Sequence, residues 1–501
     1  MLLIRIQHIV TWACRCSILL SLNLICSIGS SQTKPSPEVP SVDFIKGQDI
    51  RNDLDTLKKW VEAMHPSPFT HCAKEDWNAA FMEAKNMYKG GGTRLAAAQV
   101  FARLTNVLKD SHTCVSLKSL SEKLRDQHGR LPFEVTAIQN RIYVASENNG
   151  VIVKGTEITG IEEQSARMIL GMALQLVPIE GDATVARIRL AEKFWNDLGP
   201  MIIQSSPSDS LLVQLNGNLI NKAEHYVALD ASPSDNQKDQ NKNPLEWSFN
   251  ENGTACISLR TFQSNKNNFE RSLRKGFRKL KRMNKIKPDN TNGLVIDIRG
   301  NAGGNVALME MILPYLTASP VILPHAVSIR QSAFTKKLNR RTGFSWPLLI
   351  HSKNREMRRF SKALRRTPVG TTVEIPFDVP SHPNKRLRFS GKAALLMDGL
   401  SASASVAFAS WFIQSGRGST FGEPPMGSAS GTFGNPVKRE LPHTGLTVNI
   451  STAQYFSSAA RTWDSKPILP DYPVSWKESD IQNGIDPVLK AAYQWLQDGQ
   501  Q

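Results

Sequence analysis

The run Gly293-Leu-Val-Ile-Asp-Ile-Arg299 constrains the fold of this chain more than any other segment. It is a continuous apolar stretch of strand length with no polar alternation. A strand of that kind is buried on both faces, which points to a parallel sheet covered by helices. A glycine-rich turn, Gly300-Asn-Ala-Gly-Gly304, follows it and leads into a helical pattern from Val306 to Leu316. A second unit of the same kind begins at Ala393-Ala-Leu-Leu-Met397, turns at Asp398-Gly399, and continues into a helix-like segment from Val406 to Gln414. Between strand and helix lie three serines at alternate positions, Ser401, Ser403 and Ser405. A serine on a tight strand-to-helix turn exposes its hydroxyl beside the free N–H groups and positive end of the helix, as in many serine nucleophiles. A plain serine cap of an ordinary helix explains the same residues.

Strands and helices alternate around these units, from a strand at Thr254–Leu259 onward, which makes the C-terminal half an α/β layer structure. The preceding chain differs. Residues 43–125 read as helical, with apolar stripes Ile50, Leu54, Leu57, Val61 and Ala97, Val100, Phe101, Leu104, Leu108. Residues 130–228 read as short strands with a helix from Ser165 to about Leu176. Two linkers are expected, at 32–42 and, rich in Ser, Asp, Asn and Lys, at 231–244; the third unit is then 245–498.

The N-terminus carries Arg5 and Arg15, an apolar core over Ile18–Ile28, and then Gly29-Ser30-Ser31. That pattern reads as a secretory signal over 1–31, too short for a membrane span of about 20 residues. Removing it takes away Cys14, Cys16 and Cys26 and leaves Cys72, Cys114 and Cys256, an odd number that gives no metal-ligand spacing and at most one disulfide. An exported, periplasmic or extracellular protein is expected, without metal or other cofactor. The net charge of +17 is concentrated, with nine basic residues and no acidic one between Arg271 and Lys287. Phe269, Leu273, Phe277 and Leu280 give that segment helical periodicity, and 355–366 repeats the pattern. Such faces are solvated or contact an anionic membrane or cell-wall polymer. Nucleic acid is excluded as a partner by the absence of interleaved stacking aromatics. His65-Pro66 reads as a helix end, and Trp60, Trp77, Trp195 and Trp411 read as core.

Together, Asp297-Ile-Arg-Gly-Asn-Ala-Gly-Gly304 and the turn Ser401-Ala-Ser-Ala-Ser405 resemble the tail-specific, or C-terminal processing, serine proteases and the related core of tricorn protease. Lys154-Gly-Thr-Glu-Ile-Thr-Gly-Ile161 is similar to the core of the family's PDZ-like domain, and Leu469-Pro-Asp471 with Ile485-Asp-Pro-Val-Leu489 to its C-terminal signature. The resemblance spans most of residues 43–498. It implies a ClpP/crotonase-like α/β catalytic core, an N-terminal helical domain and a PDZ-like β-rich domain that binds an extended substrate tail. It also implies Ser403 as nucleophile, with an oxyanion hole made by the N–H of Ala404 and one from Gly303 or Gly304, and Asp297 and Arg299 as buttresses of the strand end. The family's lysine base is missing, because Ser428 stands in its place, and Val406 replaces the usual glutamate. The tricorn branch uses a Ser-His pair instead, which Ser111-His112 matches, with a carboxylate at the position of Asp464 to orient it. Lys438 and Lys466 are alternative amine bases.

The expected function is an exported serine endopeptidase acting on peptides or proteins, by way of their C-terminal tails. The alternative is a catalytically inactive peptide-binding or scaffolding protein of the same fold, favoured by Ser428, Val406 and the Pro424-Pro425 pair. Acyl transfer or hydrolysis on a non-peptide substrate is a third reading. Oligomeric state is left open.

Overall fold

A computed structural model describes residues 44–116, 131, 133–146, 152–196, 210–217, 220–228, 243–250, 253–286, 293–333, 336, 362–459 and 462–498. The expected signal (1–31), the linker 32–42, most of the linker 231–244 and residues 355–361 of the second basic segment lie outside the described residues. Among the described residues, no helix is long and apolar enough to cross a membrane.

Three helices, Gly47–Met64, Lys74–Met87 and Arg94–Asn106, open the chain. Ile50, Leu54, Leu57 and Val61 are fully buried, as their spacing requires for one face of a helix. The first helix stops where Pro66 cannot continue it, and His65 caps it with its N–H on the Val61 carbonyl. The third starts on Thr93, whose hydroxyl accepts the Ala96 N–H at 3.1 Å. After it the chain runs through Asp110–Thr113 into a two-residue strand, Cys114–Val115. That strand pairs antiparallel with Thr447–Ile450 from the far end of the sequence. The stretch carrying His112 is therefore stitched to the C-terminal half.

The middle segment forms an antiparallel sheet in the order 134–138, 141–146, 157–161, 210–217, 220–228, with Gln164–Ser165 pairing onto Glu157–Ile161. Ser165 caps the helix Ala166–Leu176, and a second helix spans Thr184–Lys193. The first three helices and this sheet share one apolar core, so the two expected N-terminal domains pack as a single body.

The C-terminal half is built on a six-stranded sheet in the order 245–249, 255–259, 294–297, 393–397, 419–422, 472–473, parallel except for its first strand. Leu294, Ile296, Ala393, Leu395 and Met397 face a core that contains the helices Lys266–Ile286 and Ala404–Gln414. Val295, Ala394 and Leu396 face the opposite side, against Val488, Ala492 and Leu496 of the helix Pro487–Gln497. Helices on both faces are the physical reason for the unbroken apolar runs. The basic helix follows its sequence pattern, with Phe269, Leu273, Phe277 and Leu280 buried; each side chain contributes about 1.5–3 kcal/mol by leaving water.

Two expectations change. The helical pattern Val306–Leu316 is two short helices, Val306–Glu310 and Leu313–Leu316, and Pro314 lies in the first turn of the second. A separate antiparallel sheet, ordered 372–376, 326–330, 453–456, 431–434, was not anticipated from the sequence. Cys72, Cys114 and Cys256 are all free thiols.

Candidate active site

Ser403 caps the helix Ala404–Gln414 with φ 54° and ψ −117°, a left-handed conformation uncommon for a residue with a side chain. Such a backbone costs on the order of 1–3 kcal/mol and persists only where its surroundings fix it. The surroundings here are specific. Ser401 donates its hydroxyl to the Ile298 carbonyl at 2.9 Å, and the Ala402 N–H reaches the Asn301 carbonyl at 3.0 Å. Asp398, half-buried at the strand end, accepts the N–H groups of Gly300 and Leu400 at 2.9 and 3.0 Å. The two strand-end turns are thus bolted together. Of the three alternate serines, Ser401 is a structural tie and Ser405 is buried in the helix; the Ser403 hydroxyl makes no cap bond and is half-buried.

Gly303 lies directly against this turn. A Cβ there would sit 2.7 Å from the Ser403 Cβ, 2.7 Å from the Ala402 oxygen and 2.9 Å from the Ala404 nitrogen, and φ is +91°. By pushing on the Ala404 N–H, Gly303→Ala is therefore expected to cut turnover by about 10²–10³, the scale for loss of an oxyanion donor, and to lower the melting temperature. Unchanged kcat/KM in a variant of normal stability contradicts this. The Gly303 N–H already donates to Asn301 Oδ1 at 2.9 Å, so of the two glycines named from the sequence only Gly304 has its N–H available. Ala404, first in its helix, has no intrahelical acceptor for its own.

His112 stands in the loop before Cys114 with its side chain 20% exposed. Its Nδ1 lies 3.3 Å from Ser111 Oγ, and that hydroxyl donates to Glu180 Oε2 at 2.8 Å. The Ser111 N–H donates to the same oxygen at 2.8 Å. Because the Ser111 proton goes to Glu180, its oxygen accepts from His112, which puts the imidazole proton on Nδ1 and leaves the Nε2 lone pair free. Beneath the pair, the buried Asp110 accepts the His112 N–H at 2.8 Å and Thr113 Oγ1 at 2.5 Å. It also accepts His65 Nε2 at 2.9 Å; His65 Nδ1 takes the Ser67 N–H, which fixes the proton on Nε2. The expected structural role of His65 is this clamp.

Burial raises the Asp110 carboxyl, but the hydrogen bond from His65, with electrostatic attraction to the two imidazoles His65 and His112, holds it well below the usual range. Burial lowers the His112 imidazole, against the pull of Asp110, so it is neutral at pH 7. Burial, and then the Asp110 charge, push Glu180 up to about 8. Asp110, His112 and Glu180 bring ligand atoms within 4.8 Å of one another, a grouping that could hold a metal ion. Asp110 and one Glu180 oxygen are already engaged in the hydrogen bonds above.

Asp464 is not beside His112. Its side chain is exposed and its Oδ1 accepts the Lys466 N–H at 3.0 Å. The segment is pinned by its neighbours: Trp463 Nε1 donates to His71 Nε2, and the Ser465 carbonyl takes the Asp182 N–H. The carboxylate beside the Ser111–His112 pair is Glu180. It was missed in the sequence because it lies 69 residues from Ser111. Only the adjacent Gly181, with φ +54°, marks its loop as special. Ser428, in the lysine position, is buried and accepts the Ser430 N–H. Lys438 and Lys466 are exposed and do not line the cavity beside the serine turn. Arg299 forks between Asp297 and Asp486, the buttress expected of it.

His112, Ser111, Ala302, Leu400, Ala402 and Met426 meet in one cavity of about 310 Å³. The base candidate and the turn that carries Ser403 therefore face the same space, although they belong to different cores.

A strained serine on a strand-to-helix turn and a neutral histidine on the cavity beside that turn are the parts a serine-type hydrolase site requires. Residues 253–474 match the family model of peptidase family S41. Among solved structures, mature CPAF is similar in fold, at 13% identity and a TM-score of 0.62 over 91% of this chain and 96% of that one. Mature CPAF complexed with lactacystin gives 14% identity and a TM-score of 0.59, covering 91% and 98%. No curated protein sequence matches the chain.

Proposed function

We propose that the chain is an exported serine endopeptidase that cleaves peptide bonds through an acyl-enzyme on Ser403. The observation that carries this reading is the left-handed Ser403 turn, with Gly303 packed against it and the Ala404 N–H unengaged at the start of the helix. Export rests on the sequence pattern of residues 1–31, and the sheet over 134–228 is read as a PDZ-like module that receives an extended substrate segment. The basic helix Lys266–Ile286 is read as a face for anionic membrane or cell-wall polymer.

In this mechanism His112 Nε2 takes the Ser403 proton as Oγ attacks the scissile carbonyl. The developing oxyanion is held by the Gly304 and Ala404 N–H groups. The imidazolium then returns its proton to the leaving amine, the C–N bond breaks, and the acyl group stays on Ser403. Water, deprotonated by the same imidazole, hydrolyses the ester. Ser111 and Glu180 act as positioning residues that hold Nδ1–H in place, a Glu–Ser–His relay in which Glu180 takes the role foreseen for Asp464. The test is covalent labelling: a fluorophosphonate probe is expected to modify Ser403 alone, located by mass spectrometry of the digested protein. An adduct on another serine, or none, overturns the assignment.

A pH prediction follows from Glu180. It keeps its proton at neutral pH and ionises near 8, adding negative charge to the relay and making the imidazole a stronger base. The wild-type kcat/KM is expected to rise through about pH 8, and Glu180→Gln to lose that rise. A profile with the same upper inflection in both proteins removes Glu180 from the relay. For stability the sign is the opposite. A carboxyl raised in the folded state from its ordinary 4.5 contributes fully below 4.5, and the contribution is lost as pH climbs through about 8. Glu180→Gln is therefore no less stable than wild type at alkaline pH.

A further inference from the structure

The cavity beside the serine turn is walled largely by apolar side chains, among them Val115, Val177, Leu190, Phe194, Leu400 and Met426. Its polar wall residues include Ser111, Ser116, His112 and Asn449, and no carboxylate lines it among the described residues. One further charged residue does. Lys193, the last residue of the helix Thr184–Lys193, is exposed on the same wall. Arg189 of the same helix pairs with Glu192 and Glu423, and Lys109 pairs with Asp182. Lys193 has no hydrogen bond or ion pair among the described residues. An apolar recess with an uncompensated ammonium at its edge is complementary to a ligand with an apolar side chain and a nearby carboxylate.

We propose that this cavity binds an apolar side chain of the substrate next to the cleaved bond, and that Lys193 selects substrates carrying a carboxylate close to that side chain. The inference rests on the reading that the reacting bond sits at Ser403, and it adds a substrate class to it. The carboxylate comes from an Asp or Glu side chain or from a free chain end. Both offer two oxygens to a single ammonium, whose flexible stem tolerates either position.

Binding is measured on full-length Ser403→Ala protein by fluorescence anisotropy, so that it does not depend on turnover. Labelled peptides share one central leucine and differ beside it: Glu with an amidated end, Gln with an amidated end, Gln with a free end, and Lys with an amidated end. A further peptide replaces the leucine by alanine. With Lys193 present, a carboxylate-bearing peptide is expected to bind about two- to fivefold more tightly than the amidated Gln peptide. Which of the two acids gains identifies the source. Adding Lys193→Glu is expected to invert the order in favour of the Lys peptide by a similar factor, and Lys193→Met to flatten it. The alanine peptide is expected to bind several-fold more weakly than its leucine counterpart.

A charge preference indifferent to residue 193, a Lys193→Glu effect confined to melting temperature, or no measurable binding by any peptide each overturns the proposal. If the fluorophosphonate fails to label Ser403 while these preferences hold, the nucleophile assignment falls and the recognition site stands.

Discussion

Ser403→Ala is expected to reduce kcat on the order of 10⁶-fold, about 8 kcal/mol of transition-state stabilisation, while the protein stays folded. The hydroxyl makes no cap bond, so removing it breaks no hydrogen bond of the turn. The backbone at φ 54° is equally unfavourable for alanine, so the melting temperature is expected to stay within a few degrees of wild type. Residual hydrolysis above the uncatalysed rate is also expected, because the Gly304 and Ala404 donors remain. Steady-state kinetics on a peptide reporter, alongside thermal denaturation, checks both statements. Full turnover by the alanine protein would falsify the nucleophile assignment.

His112→Ala is expected to cost a similar factor in kcat, and the double variant Ser403→Ala/His112→Ala little more than either alone. Groups that act as one unit are not additive; a multiplicative double variant would show that His112 works elsewhere. The wild-type pH profile gives a second readout. Burial lowers the imidazole below its ordinary 6.5, and the base must be neutral, so the acid limb of kcat/KM is expected below that value. An inflection above 6.5 that persists in His112→Ala points instead to another base. The same shift bears on stability. A histidine depressed in the folded state contributes above 6.5, and that contribution fades as pH falls toward the folded value.

Local periodicity carried much of the fold. The stripe Ile50, Leu54, Leu57, Val61 and the runs Leu294–Asp297 and Ala393–Met397 need only their own residue types to declare a helix face or a doubly covered strand. The serine turn was legible because strand, turn and helix are contiguous. Pairing between distant segments was not. Asp464 was named from the resemblance alone, and Asp471 of the same C-terminal segment is a structural tie, accepting the Thr420 N–H and hydroxyl at 2.9 and 3.0 Å. Glu180 stood in an unremarked loop, and its role depends on a contact 69 residues away. Gly303 and Gly304 were named together from the sequence, but which of them keeps a free N–H is decided by Asn301, whose side chain folds back onto the turn. The sheet 372–376, 326–330, 453–456, 431–434 draws strands from segments too far apart for short-range patterns to join.

His112 and Glu180 are fixed by the apolar core of the first half, whereas Ser403 is fixed by the core of the second. The strand Thr447–Ile450, which holds the His112 loop in place, follows Ser403 in the sequence. With the roles proposed above, a half-made chain emerging from the ribosome has base without nucleophile, and then nucleophile without an anchored base. For an enzyme whose substrates are polypeptides, that order of assembly matters. On those roles, base and nucleophile can meet only once both halves have folded.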